Sequence, residues 1–287
     1  MRLILKGLLI CLAVSAHSQN FLSWKYNDRY FSLAAGTGSV TYFGDLNSQS
    51  KPNGRIKQVS LDLEARLLTH VSARIGGAYY QLEGRDDRSE IGSFEYQRNL
   101  SFESNNYEFN FQLLYYLKPY SGDYFSRPKW DPYFGGGVGM TWYNPYTSLN
   151  GEKYYLRDIA TEPNKKYGNS TLVIPLTAGI KFKVNDFTNL NFELGYRFTT
   201  TDYLDDVSTV FPEGGEVFSI ADQLANRKDE IPLVNLQAYD QLIPGANRGN
   251  NGKQDTYLFA SFKVEIFLPN ELFVGSKPKL KKSSIKN

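Results

Sequence analysis

Few residues of this sequence have the types and spacing that chemistry requires. Beyond the N-terminal segment the one histidine is His70. A nucleophile–His–acid relay or a zinc site would need partners gathered around it, and His70 stands in a short turn between Leu68 and Val71 that supplies none. Asp202, Asp205 and Asp206 hold enough carboxylate oxygen for a hard cation such as calcium. Turn residues that cap backbone N–H groups and pair with loop Lys or Arg account for the same three with less. Asp86, Asp87 and Arg88 read as a solvated loop tip. Gly135, Gly136, Gly137 and Gly139 suggest a phosphate loop, but no Lys-Ser/Thr pair and no helix follows them. Small residues inside a strand explain them better. These residues specify no catalytic group, no metal and no cofactor, so the chain reads as a binding or scaffold component rather than an enzyme.

The elements that carry these residues are strands. Residues 107–117 set Tyr107, Phe109, Phe111, Leu113, Tyr115 and Leu117 on one face and Glu108, Asn110 and Gln112 on the other. Residues 59–67 and 190–198 alternate in the same way, and 30–42, 71–82, 133–143, 172–182 and 256–268 do so more loosely. Side chains of a strand point alternately to its two faces, so each segment has one apolar face and one polar face. A length of about ten alternating residues is what a tilted strand needs to cross an outer membrane. If the apolar faces point outward, ten charges point inward: Arg66, Arg74, Lys181, Arg197 and Lys263 against Asp62, Glu64, Glu108, Glu193 and Glu265. Buried charges persist when paired, and a small barrel has room only for its own side chains, so the interior is expected to be an ion-paired plug rather than a pore.

The two ends of the chain differ from its middle. Arg2 and Lys6, the apolar run from Gly7 to Val14 and the Ala16/Ser18 exit form a secretory signal over residues 1–18. Cys11 lacks a small residue before it and sits inside the apolar run, which argues against a lipid anchor. The mature chain then has no cysteine, which excludes disulfides and thiolate-bound metals. Residues 19–29 form a lead, 30–268 the strand-rich domain and 269–287 a basic tail containing Lys277, Lys279, Lys281 and Lys282. A short basic segment without periodicity reads as disordered, and in this position it also offers a handle for an acidic periplasmic partner. Lys and Arg number 32 against 30 Asp and Glu, so the excess of positive charge that nucleic-acid binding needs is missing.

Connection lengths separate a membrane barrel from a soluble sandwich. The first, third, fifth and seventh run to roughly 14, 20, 27 and 50 residues, and the second, fourth and sixth to about 4, 13 and 5. Such alternation puts all long loops at one end, as in an eight-stranded antiparallel transmembrane β-barrel with short periplasmic turns, long extracellular loops and both termini in the periplasm. Tyr42, Tyr79, Tyr107, Trp142 and Tyr196 are expected at the outer lipid–water boundary, and Tyr115 and Tyr30 at the inner one.

Four phrases carry a resemblance. Tyr42-Phe43-Gly44-Asp45-Leu46-Asn47, Arg98-Asn99-Leu100-Ser101-Phe102, the glycine strand from Pro132 to Gly139, and Gly195-Tyr196-Arg197 leading into Thr201-Asp202-Tyr203-Leu204-Asp205-Asp206-Val207-Ser208 are similar to the PorG-like outer-membrane barrels of Bacteroidota. The resemblance runs from about Tyr30 to Leu268, and its last phrase is the most specific. It implies a component of the type IX secretion machinery that tethers periplasmic lipoprotein and ring subunits to the outer membrane. A surface binding or adhesion protein acting through its loops is the alternative from the residues alone, and a small-solute channel is a third.

Overall fold

The computed structural model describes residues 30–46, 55–119, 124–163, 167–213, 219–250 and 252–268. Residues 1–29, where a signal and a lead are expected, and the basic stretch 269–287 with Lys277, Lys279, Lys281 and Lys282 lie outside them. Eight long antiparallel strands form the wall: β1 (Phe31–Phe43), β2 (Gln58–Arg66), β3 (Val71–Arg85), β4 (Ser101–Tyr116), β5 (Trp130–Trp142), β8 (Ser170–Lys183), β9 (Thr188–Thr199) and β10 (Thr256–Leu268). Each pairs with its neighbour in the wall, and β1 pairs with β10 from Phe31↔Leu268 to Phe43↔Thr256, which closes the barrel. Closure leaves the eight-stranded wall without a first or last strand, so it needs no covering layer. Among the described residues no helix is long and apolar enough to cross a membrane.

Alternation sets the faces. Along β4, Tyr107, Phe109, Phe111, Leu113 and Tyr115 stand exposed, while Phe102, Ser104, Asn106, Glu108, Asn110, Gln112, Leu114 and Tyr116 are buried in the bore. Leu172, Ile174, Leu176, Phe192, Leu194, Val264 and Ile266 continue the exposed apolar belt on other strands. A contiguous apolar belt of this size belongs against lipid rather than water.

Two strands run further than their apolar alternation. Above Tyr79↔Tyr107 the β3–β4 pair continues through Gln81↔Asn105 and Glu83↔Glu103 to Arg85↔Ser101, with polar residues on the outer face. The third connection is therefore shorter than apolar alternation implies. Two short strands, β6 (Pro145–Leu149) and β7 (Glu152–Tyr155), form a hairpin on the outer part of β4, through Glu103↔Tyr146. Asn150 and Gly151 turn it with φ of 54° and 85°; that pair of left-handed residues matches the twist of the flanking strands. On β5 the glycines make room. A Cβ on Gly137 would collide with the Phe111 carbonyl oxygen, and one on Gly135 would lie 2.6 Å from Leu114.

Two aromatics differ from expectation. Tyr42 is buried at the end of β1, where its hydroxyl donates to Asp255, and Tyr30 is buried against Tyr124 and Phe267. Both sit on the inward register of the first strand, so they plug the two ends of the bore instead of lining the boundary. Tyr107, Trp142 and Tyr115 are exposed.

Candidate functional site

Charged and polar side chains from opposite strands meet across the bore. All ten charged side chains singled out by alternation are buried. Glu193 on β9 is the hub of one group: it accepts from Arg74, from Lys263 at 2.7 Å and from the Tyr133 hydroxyl at 2.7 Å. Lys263 also donates to Asp62 at 2.7 Å. Arg74 reaches Glu64 at 3.4 Å, and Lys181 bridges Glu64 at 2.9 Å to Glu265 at 2.8 Å. The Tyr116 hydroxyl donates to Glu64 and Asn191 donates to Glu265. Toward the long-loop end Arg197 pairs with Glu108 at 3.4 Å, and Glu108 also accepts from Tyr257 and Asn110. Arg66 turns the other way: it donates to the carbonyls of Leu68 and Thr69 and lies 4.2 Å over the Tyr116 ring. Asp131 is a further buried acid of the bore, accepting from the backbone N–H of Lys118; a strand boundary drawn at residue 133 hides it.

Aromatic layers finish both ends. Tyr80 and Tyr257 stack at 4.9 Å and Phe259 meets Tyr80 at 5.0 Å. Tyr30, Tyr124 and Phe267 close the short-turn end. There Arg127, buried and 3.7 Å over Tyr124, donates to the carbonyls of Asn185, Asp186 and Thr188 and to the Asn189 side chain. One guanidinium thus fastens the 117–129 connection to the 184–187 turn. His70 faces the Tyr116 carbonyl at 2.7 Å and stacks on Tyr115.

The long loops fold into a cap over the other end. Arg98 grips Asp86 with two N–H groups at 2.7 and 3.0 Å and reaches the carbonyls of Asp45 and Arg248. Asp86 is therefore fully buried, a correction to its reading as a solvated tip; its charge is satisfied by Arg98 and by the Leu100 amide. Arg248 binds Glu162, Asp206 and the Ala225 carbonyl. Glu162 in turn accepts from the amides of Ser208 and Thr209.

Asp202, Asp205 and Asp206 are drawn into this cap. Asp206, at φ 70°, accepts from Thr161 and Tyr167 and pairs with Arg248. Asp205 caps the amides of Leu46 and Val207, and Asp202 accepts from Ser208. Asp255 accepts from Tyr42 at 2.6 Å and from the Leu204 amide at 2.8 Å. Burial, with Asp45 adding to it, raises the Asp205 carboxyl to about 8, and burial with Asp45 and Glu162 raises Asp202 to about 7. Burial and then Asp205 push Asp255 well above the carboxylate range. Among the described residues no His, Cys, Asp and Glu group is arranged to hold a metal ion. Three of the four phrases noted in the sequence meet here through Tyr42, Leu46, Arg98, Leu204 and Asp205. Arg248 and Glu162 carry no signal in the sequence, because loops have no period to reveal their partners.

Residues 22–218 match the model of a family described as a domain of unknown function, DUF6089. No curated protein matches the sequence. Among solved structures, Neisserial surface protein A is 9% identical with a TM-score of 0.41, covering 82% of this chain and 96% of that one. A major outer membrane protein from Thermus thermophilus is 12% identical at 0.40, covering 84% and 99%. The outer membrane protein OprG from Pseudomonas aeruginosa is 10% identical at 0.36, covering 84% and 94%. The eight-stranded closure rests on this chain's own register.

Proposed function

The chain belongs to the DUF6089 family, and from that premise we propose that this member is a non-enzymatic outer-membrane anchor, closed to solutes, that carries a periplasmic type IX secretion ring. The observation that carries the closed-anchor reading is the ion-paired bore, in which Glu193, Arg74, Lys263, Glu64, Lys181 and Glu265 bond to one another across the lumen. A solute path would need these pairs broken, and stripping a buried charge of its partner costs about 3–5 kcal/mol. The apolar belt supports residence in lipid. In that setting the signal segment is removed, the cap faces outward, and the Arg127-fastened turns with both termini face the periplasm. Ring attachment is supported by the motif resemblance and by the Arg127 hydrogen bonds that join the short turns into one surface; the ring's lipoprotein and partner subunits are its binding partners, with no nucleic acid involved.

Purified protein in a planar lipid bilayer should give no steady conductance steps; porin-like steps would overturn the closed anchor. Ring subunits should co-purify with the full chain and less with a chain ending at residue 270. Equal recovery removes Lys277, Lys279, Lys281 and Lys282 from the contact, and absence of ring subunits from the full chain removes the ring itself.

One observation favours adhesion as a second reading. Ile91, Leu233, Val234 and Leu236 are exposed on the cap, with Gly92 against Asn235 and Val234. The double substitution Leu233→Ser, Leu236→Ser should abolish surface binding while leaving secretion intact if that reading holds, and leave both intact otherwise.

A further inference from the structure

The outer wall above the apolar belt carries a cleft of about 420 Å³ between the upper β3–β4 pair and the β6–β7 hairpin. Five cations line it: Arg55, Arg85, Arg88, Lys153 and Arg227, against the carboxylates Glu83 and Glu103. Arg85 and Arg227 each give two N–H groups to one acid, Asp87 and Glu230, and Lys57 holds Glu83 at 2.5 Å. Arg88 is half-exposed and meets Glu83 at 3.7 Å, too far for a strong hydrogen bond. The Lys153 ammonium lies over the Tyr146 ring at 3.3 Å, held in place by an aromatic face rather than by an acid.

Height decides what such a cleft meets. The exposed aromatic edge of the belt is Tyr107, and Glu103 at the cleft floor lies four residues further along β4. At about 3.3 Å per residue and a tilt near 40°, that is about 10 Å above the apolar boundary. The polar zone adds about 5–8 Å on each side of the hydrocarbon core, so the cleft floor stands just above the phosphate-bearing headgroups, within reach of long Arg and Lys side chains. Arginine forks and an ammonium are the groups that recognise phosphate oxygens.

We infer that this cleft is a phosphate-binding site on the outer wall, taking the phosphate of a glycolipid headgroup or a free phosphate of the same chemistry. The glycolipid source rests on the reading of the barrel as lipid-embedded; the free-phosphate source does not. Arg88 and Lys153 supply the N–H donors, and Arg55, Arg85 and Arg227 supply the surrounding field.

The test uses the full chain in zwitterionic micelles, with the folded state confirmed by its heat-dependent gel shift. Three probes are titrated: diphosphoryl lipid A, the same lipid stripped of phosphate, and inorganic phosphate. Diphosphoryl lipid A should bind at least tenfold tighter than the stripped form, and Arg88→Gln with Lys153→Gln should remove that difference. Lys129→Gln, at the opposite rim, should leave it unchanged. Lipid binding without measurable free-phosphate binding assigns the headgroup as source; equal binding of inorganic phosphate, lost in the double variant, assigns the soluble anion. Binding indifferent to phosphate, or unaltered in the double variant, overturns the site. A barrel that fails to enter bilayers loses the lipid arm alone and leaves the phosphate arm standing.

Discussion

At the scale of single residues, Glu193 holds the bore together, because two cations and a phenol converge on its two oxygens. Glu193→Gln leaves Arg74 and Lys263 short of a charge, and urea unfolding in lipid vesicles should show a loss of about 3–5 kcal/mol. Asp205 controls the cap in the opposite sense. Its folded carboxyl is raised from 3.8 to about 8, so the stability it contributes is whole below pH 4 and is lost as pH rises to about 8. Limited proteolysis should therefore cut the long loops faster at pH 9 than at pH 6, and Asp205→Asn should reduce that difference, the remainder coming from Asp202 and Asp255, whose carboxyls are also raised. The charged residues of the bore were legible in the sequence because each lies on the polar face of an alternating strand. Arg98, Arg248 and Glu162 were not, since their partners sit on loops far away in the chain and no spacing rule connects them.

At the scale of elements, alternation placed all eight wall strands to within a few residues, except where the outer face turned polar. Residues 101–106 of β4 and 83–85 of β3 keep the two-residue period with no apolar member on the outside, so they resembled loop. The β6–β7 hairpin carries a strong turn signal in Asn150-Gly151, but its strands are too short and too polar for apolar alternation to mark them. Tyr42 and Tyr30 were misplaced by residue type: aromatic preference for the boundary yielded to their inward register on β1. The β5 glycines give a sharp test. Gly137→Val drives a side chain into the β4 backbone, and the folded, heat-shifted form should be lost, whereas Gly151→Ala, with open space around it, should keep the barrel and cost only about 1 kcal/mol for its positive φ.

At the scale of the whole molecule, the alternation of long and short connections was enough to gather the long loops at one end of the barrel, but not to show that they close over it. The closed bore and the fastened cap predict that partners act at the rims: replacing the cap loops should alter surface contacts without producing conductance in a planar bilayer. Outside the closed wall, the hairpin leaves one strand edge, β7, without a neighbour among the described strands. Copies crowded in one leaflet could zip together along such an edge. At four residues, with Glu152 and Lys153 side by side on it, the edge is too short and too charged to template another chain. The hairpin edge thus offers copies of this chain no strand along which to join.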